Sequence, residues 1–360
     1  MKDTIVLMCC PDVRRLITKR AIRSVKASNL QRAEFIVIDN NYDSGFNHPT
    51  VMNRMLSYCA ERDMSVIFLD DDVEILDADW IDRLYEVSDN MRADIVGCRH
   101  IFESGEPNHD GIWIDRDGIS HLWADTVIDC DKIIDNSIYV PTLCSAVLMV
   151  RNCNVYHFDT NYKKYQQDLD ICMQAWQLTM GAVPRAEGRV VKGKVACALD
   201  LMVIHNYRYY IKKTAAVFST FLHDQAYFAR KWAAFIPEFH EIEELLHFKN
   251  FNQNIGWHAF YNTATQFELI DKEKAIEMFK KVTRGCYNGQ FVSGAYYHLY
   301  GLEGRVEYLQ KCLSINPCHK AARRLLSELT PGELPPAYEC NYRRNCKHCN
   351  LIGGSVLPRS

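Results

Sequence analysis

Three consecutive aspartates, Asp70, Asp71 and Asp72, follow the apolar run Val66-Ile67-Phe68-Leu69. Adjacent carboxylates repel one another, so their joint ionisation near neutral pH is most easily understood if a cation shares the site. Magnesium and manganese, which prefer oxygen ligands, are the natural occupants. Asp77 can cap a helix over residues 78–87, but it lies beyond the triplet and leaves it unexplained. Asp168 and Asp170 flank Leu169 and sit in the first turn of a helix whose buried stripe is Leu169, Cys172, Met173 and Trp176. The helix dipole favours acids there, and capping alone would account for them. A carboxylate ahead of a buried stripe is also how a general base is held beside a substrate, and the two roles are compatible. His205 ends the short apolar pair Val203-Ile204. A metal held by aspartates commonly needs a further protein ligand, and a neutral imidazole serves for manganese.

The elements that must position these groups alternate in type. Thr4–Met8 reads as a strand, Pro11 opens a helix with apolar positions Val13, Leu16, Ile17, Ala21 and Val25, and Glu34–Ile38 reads as a second strand ending at Asp39. Val51–Ala60 gives the next helix and Ser65–Leu69 the third strand; Trp80, Ile81, Leu84 and Val87 mark another helix, and Asp94–Gly97 and Cys144–Val150 further strands. Such alternation implies an α/β fold with a mostly parallel sheet covered by helices. The three strands ending at Pro11, Asp39 and Asp70–Asp72 place these residues along one rim, where open α/β sheets collect their ligands. Residues 101–138 are too irregular to assign and read as an insertion that shapes an acceptor pocket.

With 360 residues, 48% of them apolar, the chain is long enough for one large domain and a smaller one. A net charge of −3 gives no global footprint for nucleic acid or an anionic membrane. No apolar run approaches the ~20 residues that span a bilayer, and no secretory leader is apparent, so a cytoplasmic location is expected. Most of the fifteen cysteines sit in apolar contexts and read as reduced core residues without a disulfide framework.

In their order, Pro11, the Arg14 and Arg20–Val25 helix, FIVIDN, VIFLDDDVEIL, CSAVLMVR, QDLDICMQAW and the Ile204-His205 pair resemble glycosyltransferase family 2, inverting nucleotide-sugar enzymes of the Rossmann-like GT-A fold. The resemblance covers residues 4–210. It implies a donor nucleotide contacted by Pro11, Asp39, Asp70 and Asp71, with a UDP-sugar favoured, and a Mn2+ or Mg2+ ion held by Asp70, Asp72 and His205. It implies a catalytic base at Asp168, with Asp170 as the alternative, although Gln167 replaces the glutamate of the family's Glu-Asp motif. Protein, glycan and nucleic acid all stand as acceptors. Three rivals remain: a haloacid-dehalogenase-like phosphatase using Asp70 and Asp72, an inactive transferase domain in a helical-repeat adaptor, and a nucleotidyltransferase of related fold, whose glycine-rich first loop is missing from Met8-Cys9-Cys10-Pro11.

These considerations divide the chain into a transferase domain over residues 1–213, a helical region over 214–330 and a tail over 331–360. Lys274–Val282, Ser293–Tyr300 and Glu307–Pro317 read as helices resembling tetratricopeptide repeats, although Phe279 and Leu309 stand 30 residues apart against the ~34 of that repeat. So few repeats are expected to pack on the catalytic domain or on a second copy of the chain, and to offer a face for a peptide. In the tail, Cys340, Cys346, Cys349 and His348 offer a zinc site, set against a flexible basic segment carrying Arg343, Arg344 and Lys347.

Overall fold

The computed structural model describes residues 2–43, 45–103, 107–114, 119–121, 134–180, 193–206, 215–239, 241–245, 261, 263–265, 267–286, 289–317 and 319–330. The tail with Cys340, Cys346, Cys349 and His348, and the zinc expected there, lies outside the described residues. The chain divides into two compact units: the first takes in residues up to 250 apart from 117–120 and 213–219, and the second takes in those two pieces and the residues from 251 onward.

The first unit is α/β. Its strands are Thr4–Cys10 (β1), Ala33–Asp39 (β2), Ser65–Asp70 (β3), Val73–Ile75 (β4), Ala93–Ile101 (β5), Pro107–His109 (β6), Ser137–Tyr139 (β9), Val147–Val150 (β10) and Lys194–His205 (β11), with the short strand Ile112–Ile114 (β7) apart from the main sheet; the short strand Ile119–His121 (β8) straddles the division between the two units. The nine-stranded sheet runs β2-β1-β3-β10-β5-β11-β4, with β6 on β5 and β9 on β11. β2, β1 and β3 are mutually parallel, as are β5 and β11, which is the arrangement that helical crossovers dictate. β10 runs antiparallel to both β3 and β5, so the sheet is mixed. No helix among the described residues connects β5 to β10, and without a crossover nothing requires them to run the same way. Gly97 of β5 permits the close approach of β10: a Cβ there would stand 3.0 Å from the Val147 carbonyl and 3.1 Å from Leu143.

The helices beside this sheet are Leu16–Ala27 (α1), His48–Ala60 (α2), Trp80–Met91 (α3), Gln167–Met180 (α4), Ala215–Trp232 (α5) and Ile236–Phe239 (α6). α1 starts five residues after Pro11, because Pro11 instead enters a loop: its carbonyl accepts the Tyr42 amide at 3.0 Å, and Arg15 is still extended. α2 starts three residues earlier than the apolar pattern indicates, capped by the Asn47 side chain on the Thr50 amide at 2.9 Å and opened by Pro49. Asp77 does not cap α3; it accepts the Asp79 amide at 2.8 Å in a turn before the helix begins. The core joins α1 (Ala21, Val25), α3 (Trp80, Ile81, Leu84, Val87) and the sheet (Val6, Ile67, Val96, Val147, Ala196, Val203) in one continuous cluster.

In the second unit, Lys272–Gly285 (α7), Gly289–Glu303 (α8), Val306–Ile315 (α9) and Lys320–Leu329 (α10) follow one another closely. Ala275, Phe279, Val282, Ala295 and Leu299 fill the seam of α7 and α8, and Leu309, Cys312, Leu313, Ala322 and Leu326 that of α9 and α10. Asp271 and His319 cap α7 and α10 through side-chain acceptors. Among the described residues, no helix is long and apolar enough to cross a membrane.

Candidate active site

Register explains why the acids meet. Cys10 of β1 pairs with Asp39 of β2, and Cys9 with Asp70 of β3, so the ends of three parallel strands lie level and carry Pro11, Asp39 and Asp70–Asp72 on one rim. β11 closes the rim from the other side. Its last residue, His205, pairs with Val73 of β4, while the Asp72 carbonyl accepts the Asn206 amide at 3.1 Å. Ligand atoms of Asp70, Asp72 and His205 all lie within 4.8 Å of one another. The His205 Nε2 stands 3.4 Å from Asp72 Oδ1 and 4.0 Å from Asp70 Oδ2.

Asp71 has a different job. Its Oδ2 accepts the Thr18 hydroxyl at 2.6 Å and Arg15 at 3.3 Å, so the middle aspartate fastens the triplet to α1. Asp39 is exposed and accepts the Asn41 amide at 2.9 Å and the Val13 amide at 3.3 Å, which holds the loop after Pro11 against the rim. The crowding has an electrostatic signature: burial, then the charges of Asp72, Asp71 and Asp168, push the Asp70 carboxyl up to about 7, with His205 pulling the other way. That is the state a cation relieves. Two carboxylates and an imidazole form a donor set that fits Mn2+ well and Mg2+ less well.

Asp168 opens α4 beside this rim. Its Oδ2 accepts the Ser145 amide and its Oδ1 the Leu169 amide, both at 3.0 Å, and burial raises its pKa against those two bonds. Among the described residues the carboxylate is oriented by backbone amides, and it retains acceptor capacity on each oxygen. Directly before the helix, buried Gln166 holds a left-handed φ of 68° and keeps its Nε2 without a hydrogen-bond partner among the described residues. A strained residue with a spare donor next to a candidate base is a feature that no periodicity in the sequence signals.

No protein-family profile matches the chain. A stretch of 79 residues, 22% of this chain, is 28% identical to part of the O-antigen biosynthesis protein RfbC of Myxococcus xanthus and spans 6% of that protein's length. Among solved structures, residues 1–349 of S. aureus TarS are similar at 9% identity over 89% of this chain and 92% of that one, with a TM-score of 0.41. The mannosyltransferase PcManGT from Pyrobaculum calidifontis, solved with GDP-Man and Mn2+, is similar at 11% identity over 92% of this chain and 88% of that one, with a TM-score of 0.44.

Asp170, two residues beyond Asp168, is placed quite differently. Fully buried, it accepts bonds from the Tyr162 hydroxyl (2.9 Å), Gln174 Nε2 (2.9 Å), Lys231 Nζ (2.8 Å) and Trp232 Nε1 (2.8 Å). A carboxylate with four donors on two oxygens has little capacity left for an acceptor proton, which leaves Asp168 as the base candidate of the pair. Two of those donors, Lys231 and Trp232, come from α5, which also sends Asp224 to accept the amides of Lys163, Lys164 and Tyr165 at 3.0, 2.8 and 2.8 Å. α5 thereby clamps the loop that leads into Asp168. Gln167, directly before Asp168, is buried and hydrogen-bonds His48.

Proposed function

We propose that the chain transfers a sugar from a nucleotide-sugar donor to an acceptor hydroxyl with inversion at the anomeric carbon, on a fold of the GT-A type. The observation that carries this reading is the convergence of Asp70, Asp72 and His205 at the ends of β3 and β11, within 4.8 Å, beside a backbone-held Asp168 whose charge acts on Asp70. Asp70, Asp72 and His205 would hold a divalent cation, Mn2+ favoured by the imidazole, and that ion when bound neutralises the charge gathering on the diphosphate leaving group.

Asp39 at the end of β2 meets the nucleoside, with a UDP-sugar favoured by the resemblance to family 2, and Pro11 shapes the loop beneath it. Asp71 holds α1 against the rim through Thr18 and Arg15 without touching the cation. Asp168 takes the acceptor proton as the hydroxyl oxygen attacks the anomeric carbon and the sugar–phosphate bond breaks on the opposite face. Its raised pKa strengthens it as a proton acceptor, and the Ser145 and Leu169 amides keep its carboxylate pointed. The helices α7–α10 serve to hold the acceptor or a second copy of the chain.

The test is a melting-temperature screen of nucleotide sugars and nucleoside diphosphates with Mn2+ present, followed by NMR of the product's anomeric configuration with any donor that binds. Mn2+-dependent binding of one nucleotide class and an inverted product are expected. If Mn2+ binds but no nucleotide shifts the melting temperature, the reading is wrong.

A further inference from the structure

A second set of ligand atoms shares a member with the acid rim. His100 lies near the end of β5, Cys144 in the loop before β10, and His205 at the end of β11, and their ligand atoms all lie within 4.8 Å of one another. The two histidines are buried and Cys144 is half-buried. Their setting is built rather than incidental. The rings of His100 and His205 meet edge to face at 5.2 Å, and His109 of β6 lies on His100 at 4.7 Å. The His109 Nε2 accepts the Cys144 amide at 3.3 Å, which fixes the backbone that carries the thiol.

The chemistry of this set differs from that of the rim. Two carboxylates and an imidazole suit a hard cation, whereas a thiolate and two imidazoles suit a borderline-soft one such as zinc, with the fourth tetrahedral position left to water. We propose that His100, Cys144 and His205 form a second cation site, for zinc or a similarly thiophilic ion, which competes with the acid rim for His205. On binding, the Cys144 S–H bond breaks as the Sγ–metal bond forms, the proton passes to water, each imidazole contributes a nitrogen lone pair, and no electron changes hands. One His205 nitrogen lone pair cannot serve two ions at once. Zinc at the second site therefore weakens manganese binding at the rim, and by reciprocity manganese weakens zinc. The effect on sugar transfer rests on the function proposed above; the binding site itself does not.

Titration of the full chain with Co2+ alone, as a spectroscopic stand-in for zinc, tests the proposal through the thiolate-to-metal charge-transfer absorption. That absorption should appear in the native chain, disappear in Cys144→Ser and in His100→Gln, and persist when Cys340, Cys346 and Cys349 are all changed to serine. Circular dichroism establishes that each variant is folded, and two separate variants guard against a single folding failure. In parallel, one equivalent of Zn2+ should weaken Mn2+ affinity, read by electron paramagnetic resonance, at least about tenfold in the native chain and leave it unchanged in Cys144→Ser. An absorption equal in the native chain and folded Cys144→Ser overturns the proposal, as does zinc that leaves Mn2+ binding untouched in both. A Cys144-dependent absorption in a chain that binds no nucleotide sugar would keep this site and reject the transferase; transfer without that absorption would do the reverse.

Discussion

Two groups of aspartates, which come within two residues of each other at Asp168 and Asp170 of α4, are treated in opposite ways by the fold. At the rim, Asp70, Asp72 and Asp168 are crowded together with few donors, and Asp70 is pushed up to about 7 by burial and by Asp72. Around α5, Asp170, Asp159 and Asp224 are saturated: Asp170 has four side-chain donors, Asp224 has three backbone amides, and Asp159 has Lys231 at 2.7 Å and Tyr227 at 2.9 Å. Burial raises Asp159, but its hydrogen bonds from Lys231, Asn161 and Tyr227 outweigh that and hold it at about 2. A carboxylate that builds structure has its lone pairs filled by the protein. One kept for chemistry is left short of partners, and the stability it forgoes is the room into which a cation or a proton can move.

The contrast should be plainest in stability. Asp170→Ala strands Lys231, Trp232 and Tyr162 without their shared acceptor and should cost about 3 kcal/mol, the lower end of the range for breaking a buried pair because Lys231 is partly exposed. Asp72→Ala, which removes a repulsion, should leave the metal-free chain within about 1 kcal/mol of native stability. Urea unfolding of the two variants checks this, and equal losses would erase the distinction. In activity the order reverses. Asp168→Asn keeps a polar group at the start of α4 and should leave the melting temperature nearly unchanged, yet turnover should fall by about 10² or more with donor affinity kept. Full activity in that variant would make Asp168 a cap and nothing else.

Asp159 and Asp70, one from each group, should also titrate in opposite directions. Asp159 is depressed, so its stabilisation is present above about pH 4 and is lost as pH falls toward about 2. Asp70 is raised, so its protonated form is the one the fold favours; that stabilisation is present below about pH 4 and is lost as pH rises through about 7. A divalent cation takes the proton's place. The rise in melting temperature on adding Mn2+ should therefore grow between about pH 5.5 and pH 7.5, and a rise independent of pH would contradict the account of Asp70.

Much of the rim was legible because its three parallel strands are local apolar runs, two of them stopped by an acid, as in Glu34–Asp39 and Ser65–Asp70. The helical start of α4 and the placement of Asp168 and Asp170 could be read from the stripe that follows them. What could not be read is set by pairing at a distance. β11 is a twelve-residue strand of which only Val203–His205 stood out, because Asp200 interrupts the apolar pattern and the register with β5 shifts between Ala198 and Met202. The direction of β10 depends on a segment with no helical pattern. Asp170 and Asp168 look equivalent in sequence, and what distinguishes them is the set of donors to Asp170, two of which come from α5 some 60 residues later. His100 and Cys144 likewise meet His205 through the sheet, with no local signal.

A smaller effect sharpens the rim itself. Asp71→Asn should loosen α1, since Asp71 answers to Thr18 and Arg15, but should change Mn2+ affinity less than about threefold, because its carboxylate is bonded to those two side chains and not to the ligands whose orientation an outer partner would set. Loss of Mn2+ binding in that variant would mean that the middle aspartate, too, is a ligand.

The most direct measurement is a Mn2+ titration of the metal-free chain and of Asp72→Asn, followed by electron paramagnetic resonance at neutral pH without nucleotide. The account predicts one ion bound by the native chain and an affinity lower by at least about tenfold in Asp72→Asn, with His205→Ala behaving alike. Equal affinity in all three would contradict the claim that Asp70, Asp72 and His205 converge to hold a cation.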